Sequence, residues 1–220
     1  MYLRDVMVLP AGYDRNDISR LRASCDHVLD ILREFLPHKY DLGGLRRLVL
    51  ELGQVQAIVR QYYDTGGVGY YSHPDFDLES FFGLPPSQQE ERILECVEQG
   101  LIDVARRLSA DPVPLALAVA QVRDSRYTLE TNLKCSRVHP TRRFRVAVIR
   151  QFARGGVFVR AEVRCKSGVL KHCHELASGA WVVAVSDKFH SSRWNGNTLE
   201  ILDHAGRLTS AIDCGQLVTS

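Results

Sequence analysis

The chain has 220 residues, of which 45% are hydrophobic and 25% are charged, and its formal net charge is +2. This composition is typical of a folded globular protein and argues against a disordered chain. The longest apolar run, Pro114 to Ala120, is too short to span a membrane, and the first residues lack the pattern of a secretory signal. We therefore expect a cytoplasmic protein that does not bind a membrane.

The six cysteines are scattered and form no C-x-x-C pair. Disulfide frameworks are typical of small secreted chains, so we expect reduced and mostly buried thiols. Charge is divided unevenly along the sequence. Residues 1–110 carry 12 basic and 17 acidic side chains, whereas residues 111–220 carry 16 basic and 9 acidic ones. Such a division predicts surfaces of opposite charge.

Helical periodicity dominates the first half. Apolar residues recur at helical spacing from Ile18 to Leu36, after Asp17 as a candidate N-cap and before Pro37. The segment 42–63 is ambiguous. Its apolar residues fit a helix, which we favour, but a hairpin turning at Gly53 remains open.

Two more helices are predicted further along. Ser87 to Glu90 resembles a capping box and precedes a helix that runs to about Ser109. Asp111 can cap a shorter helix that ends near Val122, with Pro112 in its first turn. Between the ambiguous segment and these helices, residues 64–85 predict a long ordered loop, because glycines and prolines interrupt any regular pattern.

From Arg126 onward the hydrophobic period changes to two. Runs such as 144–149 and 157–163 predict strands, and glycine-containing turns separate them about every ten residues. Connections this short exclude parallel crossovers and favour an antiparallel meander of about seven strands. We therefore predict an α+β fold in which N-terminal helices pack on a C-terminal, curved antiparallel sheet. We treat 1–220 as one domain with a mainly helical sub-region, 1–124, and a β sub-region, 125–220.

No catalytic motif is present. The sequence contains no Walker A loop, no G-x-G-x-x-G, no G-x-S-x-G elbow and no H-E-x-x-H. The residues therefore favour a binding protein over an enzyme, and we expect no cofactor.

The segment 62–82 combines tyrosines with carboxylates. Aromatic side chains anchor protein interfaces, and acidic neighbours steer a basic partner. The alternative is that the aromatic residues only fasten the segment to the core, which we favour for its phenylalanines. The predicted partner-binding residues are Tyr62, Tyr63, Asp64, Tyr70, Tyr71, Asp75, Asp77 and Glu79.

A basic stretch lies between residues 121 and 171, where 13 Lys and Arg face only three acids. On one face of a sheet, such side chains would contact the phosphates of a nucleic acid or another polyanion. The alternative is a solvated strand face, and a one-residue error in register would invert each strand. The candidate polyanion-binding residues are Arg142, Arg143, Arg145, Arg160 and Arg164.

The best metal candidate is the pair His172 and His174, which lie on the same side of a strand. Zinc would need further ligands from neighbouring strands, and their spacing is not diagnostic. Among these features, the acidic aromatic segment leads to the main hypothesis of a protein-binding module, most concretely a bacterial immunity-type inhibitor of a toxin or enzyme. Nucleic-acid binding and a metal-dependent enzyme or small-ligand carrier are the alternatives.

Overall fold

A computed structural model describes residues 1–12, 15–53, 61–179 and 188–218. The chain divides into two compact units, Met1–Thr128 and Leu129–Ser220. The fold is α+β, with the long helices in the first unit and antiparallel sheets in the second, which confirms the predicted class. Across the described ranges, no helix combines the length and the apolar character needed to cross a bilayer.

The first unit contains a four-stranded sheet that the sequence analysis did not predict. Its strands are β1 (Asp5–Pro10), β2 (Arg47–Leu52), β3 (Tyr62–Thr65) and β4 (Val68–His73). They lie in the order β1-β2-β4-β3, with β1, β2 and β4 parallel and β3 antiparallel to β4. Gly66 and Gly67, both at positive φ, close the β3–β4 hairpin.

The helices of this unit are α1 (Arg15–Phe35), α2 (Leu78–Phe82), α3 (Pro86–Arg107) and α4 (Val113–Asp124). Helices α1 and α3 pack on the sheet face that carries Leu50 and Tyr71. The closest approach is at Gly100 of α3, where a Cβ atom would lie 2.4 Å from Leu50 Cδ2. The other face of the sheet carries the alternate residues of each strand.

Two predictions for the first unit were wrong. The helix favoured over 42–63 is replaced by β2, because a short continuous apolar run suits a strand buried between two neighbours as well as a helix. The second arm of the alternative hairpin, 55–59, lies outside the described residues. The segment 64–85 is not a long loop, since it contains β4 and α2.

The predicted N-caps had mixed outcomes. Helix α1 begins at Arg15, upstream of Asp17, and α3 begins at Pro86 with no side-chain cap, so the capping role predicted for Ser87 was wrong. The side chain of Asp111 does accept a hydrogen bond from the backbone N–H of Val113 at 3.0 Å. The lengths of α3 and α4 are close to those predicted, because hydrophobic periodicity fixes the body of a helix better than its ends.

The second unit contains two antiparallel sheets. The larger has the order β5-β7-β8-β9, with β6 paired to β7, and the smaller has the order β10-β11-β12. All the pairings among its described strands are antiparallel, as predicted. A short helix, α5 (Gly215–Val218), follows the last strand. The strands are β5 (Leu129–Asn132), β6 (Arg137–Val138), β7 (Phe144–Ala153), β8 (Gly156–Cys165), β9 (Leu170–Gly179), β10 (Ser191–Asn195), β11 (Thr198–Leu202) and β12 (Leu208–Asp213).

The two sheets of the second unit meet at Trp194. Its ring contacts His139 and Phe144, with centroid separations of 4.6 and 6.0 Å. Its indole N–H donates a hydrogen bond to the carbonyl of Val138 at 3.0 Å. Trp194 therefore joins β10 to the β6–β7 hairpin.

Candidate functional site

The aromatic part of the predicted interface is a stacked tyrosine pair. Tyr63 and Tyr70 lie directly opposite each other on β3 and β4, with ring centroids 4.7 Å apart and planes inclined by 4°. Both lie on the sheet face opposite α3, and Tyr63 remains 40% exposed. Cross-strand stacking holds both rings in place without help from a partner.

A buried carboxylate lies beside this pair. Glu51 is on the same sheet face and accepts a hydrogen bond from the hydroxyl of Ser72 at 3.2 Å. Burial raises the pKa of the Tyr63 phenol, and the negative charge of Glu51 raises it further. Tyr63 therefore stays a neutral hydrogen-bonding group over the physiological pH range.

Tyr71 is not a surface residue, which corrects its place in the predicted interface. It is 1% exposed and points toward α3. Its hydroxyl donates to Asp103 at 2.6 Å and accepts from the side chain of Gln61 at 2.8 Å. Because strand side chains alternate between faces, Tyr70 and Tyr71 lie on opposite sides of the sheet. Tyr71 ties β4 to α3.

Tyr62 and Asp64 are neighbours on the edge strand β3. The Tyr62 hydroxyl donates to the Asp64 carboxylate at 3.1 Å. Burial, together with this hydrogen bond, raises the pKa of Tyr62 to about 12. Both residues alternate with Tyr63 along β3, so they lie on the helix side of the sheet and not beside the stacked pair.

The three remaining acids follow the end of β4 and differ in their roles. Asp77 is the N-cap of α2 and accepts a hydrogen bond from the backbone N–H of Ser80 at 3.1 Å. Glu79 lies 3.5 Å from the guanidinium of Arg20, and its side chain is exposed. Asp75 is exposed and makes no ion pair within the described part of the chain. Asp75 is therefore the acid whose charge is most available to a partner.

A cleft of about 280 Å³ lies where β4 ends beside α3. His73, Asp75, Arg92 and Asp103 are among its lining residues. The Nε2 atom of His73 donates to the carbonyl oxygen of Cys96 at 2.9 Å, and burial lowers the pKa of this imidazole. Neither His73 nor Asp103 was predicted as a site residue from the sequence, because only the β4–α3 packing brings them together.

The basic strand face in the second unit is largely neutralised. Glu162 lies between Arg160 and Arg164 on β8 and accepts hydrogen bonds from both guanidinium groups, at 2.9 Å from each Nε. Arg160 also pairs with Glu130 at 2.9 Å. Burial alone would raise the pKa of Glu162, but the hydrogen bonds from Arg164 and Arg160 hold it below its usual value. Alternation along β8 puts all three side chains on one face, and this spacing could have shown the counter-ion in the sequence.

The other predicted arginines lie at one end of this sheet. Arg142 and Arg145 line a cleft of about 430 Å³ with Arg164 and with Lys166, which the sequence analysis did not include among the candidates. Arg143 is exposed and makes interactions of its own. The structure thus gathers three of the five candidate arginines into a concave site and leaves Arg160 in the ion-pair network.

The histidine pair lies on β9, with the rings of His172 and His174 6.1 Å apart. Both side chains are exposed. Among the described residues, no group of three or more His, Cys, Asp or Glu side chains lies close enough together to hold a metal ion. The pair alone supplies two of the four ligands that a structural zinc site needs.

Neither a known protein family, nor a curated protein, nor a solved structure matches this chain.

Proposed function

We propose that this protein is a binding protein whose first unit engages a basic macromolecular partner through Tyr63 and Tyr70, with Asp75 and Glu79 steering the encounter. In its most concrete form, it is a bacterial, cytoplasmic immunity-type inhibitor that masks a toxin or an enzyme. The observation that carries this proposal is the stacked, solvent-accessible pair of Tyr63 and Tyr70.

The tyrosine pair has the properties of an interface anchor. Tyrosine offers a large apolar ring and a polar hydroxyl, and tyrosines are enriched among the residues that dominate binding energies. Because Tyr63 and Tyr70 are already stacked, binding costs little additional side-chain entropy. A tyrosine pair needed only for stability would stabilise the fold more if it were fully buried. Tyr71, at the next position along β4, is buried in this way.

The acidic residues suit a partner with a basic contact surface. Asp75 has no ion-pair partner in the described ranges, and the single pair of Glu79 with Arg20 is solvent-exposed. Exposed pairs contribute little to stability, so neither charge is strongly held by the fold. Opposite charge on a partner would accelerate association, and this acceleration would weaken as salt is added.

The partner can be captured from position 70. A photo-crosslinking amino acid replaces Tyr70 in cells of the native host, and the matched control carries it at Leu117, which is exposed on α4 of the same unit. We expect one prominent protein adduct from position 70 that is absent from position 117. Identical adduct patterns from the two positions would reject the stacked pair as the binding site.

Charge reversal then tests the steering role with the captured partner. Asp75→Lys should slow association by about ten-fold at low salt and by less at high salt. Asp124→Lys, an equal charge change at an exposed residue at the end of α4, is the control and should leave the rate unchanged. Asp77 is unsuitable for this test, because its side chain caps the N-terminus of α2 and replacing it would also destabilise that helix. Equal association rates for the two variants would remove the acids from the proposal.

A further inference from the structure

The basic cleft of the second unit lies at the end of the larger sheet, where β7 begins and β8 ends. Four cationic side chains line its 430 Å³ volume, and among the lining residues that the structure describes none carries a carboxylate. Its apolar wall includes the exposed side chain of Val138. A cleft of this volume is within the range of small-molecule sites in proteins. The cations of the cleft are Arg142, Arg145, Arg164 and Lys166.

The charge in this cleft is only partly compensated. Arg145 on β7 lies directly opposite Arg164 on β8, an arrangement of like charges that destabilises a sheet. Arg164 is paired with Glu162. Within the described part of the chain, no carboxylate pairs with Arg142, Arg145 or Lys166. Three cations therefore lie in one concavity with no counter-ion, and an anion there would offset their repulsion.

Hydrogen-bonded turns fix the backbone that carries the cations. The backbone N–H of Arg142 donates to the carbonyl of His139 at 2.8 Å and closes the β6–β7 turn. The N–H of Lys166 donates to the carbonyl of Arg143 at 3.0 Å, which ties the β8–β9 turn to the first one. Because the two turns are joined, the backbone of the site is already in place, and only the side chains have to be ordered when an anion binds.

The surrounding surface favours a compact anion over a nucleic-acid strand. A strand would extend along the sheet face beyond the cleft, where it would meet the carboxylates of Glu130 and Glu162 beside Arg160. On that face, Arg160 is already paired with both carboxylates. Guanidinium groups match phosphate oxygens in geometry, and lysine adds a point charge. The exposed Val138 side chain offers apolar contact to an organic group attached to the phosphates.

We infer that this cleft binds a compact anion with two or three linked phosphate groups, either an inorganic polyphosphate or a nucleoside di- or triphosphate. This site is separate from the tyrosine surface of the proposed function and does not depend on it.

Calorimetric titration of the full chain with inorganic tripolyphosphate tests the inference, at about 20 mM NaCl, where screening is weak. We expect binding that weakens at least about ten-fold in the Arg145→Gln/Lys166→Gln double variant, since two charge-assisted contacts are lost. Both positions are solvent-accessible, and thermal unfolding of the variant without ligand confirms that it is folded. The control is Arg207→Gln, which removes an exposed charge of the same unit that pairs with Asp203.

Cys165 supplies a second readout that does not depend on the heat of binding. Its thiol lies in the lining of the cleft, 2.9 Å from the Ser167 hydroxyl, and this hydrogen bond lowers the pKa of the thiol. Bound tripolyphosphate should slow alkylation of Cys165, measured by peptide mass spectrometry. Alkylation of Cys173, which is exposed on β9 outside the lining, should be unchanged.

Parallel titrations distinguish the sources of phosphate. A nucleoside triphosphate that binds more tightly than tripolyphosphate assigns a role to the apolar wall, and equal affinity assigns the site to the phosphates alone; either result supports the inference. No tripolyphosphate binding at low salt, or equal binding by the double variant, overturns it. Tighter binding of a short oligothymidylate than of tripolyphosphate also overturns it, in favour of a nucleic-acid surface.

Discussion

Glu162→Gln removes the buried negative charge between Arg160 and Arg164. The carboxylate side chain is 7% exposed, whereas the side chains of Arg160 and Arg164 are 25% and 38% exposed. Breaking a fully buried ion pair costs about 3–5 kcal/mol, but these arginines can recover hydration at their exposed edges. Arg160 also keeps Glu130 and Gln151 as partners. We therefore expect a loss of about 2 kcal/mol in the free energy of unfolding, near the value of one or two charge-assisted hydrogen bonds.

Urea denaturation measured between pH 7 and pH 3 is the assay. The pKa of Glu162 lies below its usual value, because hydrogen bonds from the arginines outweigh the effect of burial. Its stabilising contribution is therefore present above the ordinary carboxyl pKa and is lost as the pH falls through the lowered pKa. The difference between the wild type and Glu162→Gln should shrink accordingly in acid.

Glu130→Gln is the matched control, because it removes a carboxylate from the same Arg160 at an exposed position. That change should cost less than about 1 kcal/mol, as exposed pairs do. Equal losses for the two variants, or a Glu162→Gln loss that does not depend on pH, would refute the assignment of Glu162 as the buried counter-ion. Glu162→Gln also leaves Arg164 without its carboxylate partner. The affinity of the basic cleft for tripolyphosphate should therefore rise in this variant.

Three more predictions concern the first unit, each measured by urea denaturation. Tyr71→Phe should cost about 1 kcal/mol through the lost hydrogen bond to Asp103, and the pKa of Asp103 should rise in an NMR titration. Gly100→Ala should destabilise the protein by about 1 kcal/mol. Crowding against Leu50 costs about 1–3 kcal/mol, and the higher helix propensity of alanine offsets about 1 kcal/mol of this cost. Unchanged stability would contradict the close packing. Burial raises the pKa of Asp30 to about 6, so its favourable contribution below its ordinary pKa is lost as the pH rises through 6. The free energy of unfolding of Asp30→Asn should therefore rise relative to that of the wild type between pH 4 and pH 7. A difference in stability that does not change with pH would contradict this assignment.

The helices that the sequence predicted well are those with a clear solvent-facing side. α1 and α3 alternate between apolar and charged faces at helical spacing, so their bodies could be located without tertiary information. β2 could not be located in this way, because five of its six residues are buried and a continuous apolar run has no diagnostic period. The glycine-containing turns of the second unit marked its hairpins for a local reason, since Gly155, Gly168 and Gly196 adopt positive φ.

The candidate sites depend on pairings that no single sequence encodes locally. Tyr70 and Tyr71 are adjacent residues of one type, yet one lies in the stacked pair and the other inside, because β4 has α3 on one face only. Likewise, Lys166 joins Arg142 only through the β7–β8 register. The counter-ion Glu162, by contrast, could have been predicted, because alternation along β8 puts it on the same face as Arg160 and Arg164.

The dissociation rate of the complex captured from position 70 tests the central claim most directly. If Tyr63 and Tyr70 anchor the partner, the Tyr63→Ala/Tyr70→Ala double variant should dissociate at least about ten-fold faster than the wild type, since anchor residues act mainly on dissociation. Leu117→Ala, an exposed apolar truncation in the same unit, should leave the rate unchanged. A double variant that stays folded and dissociates at the wild-type rate would contradict the account.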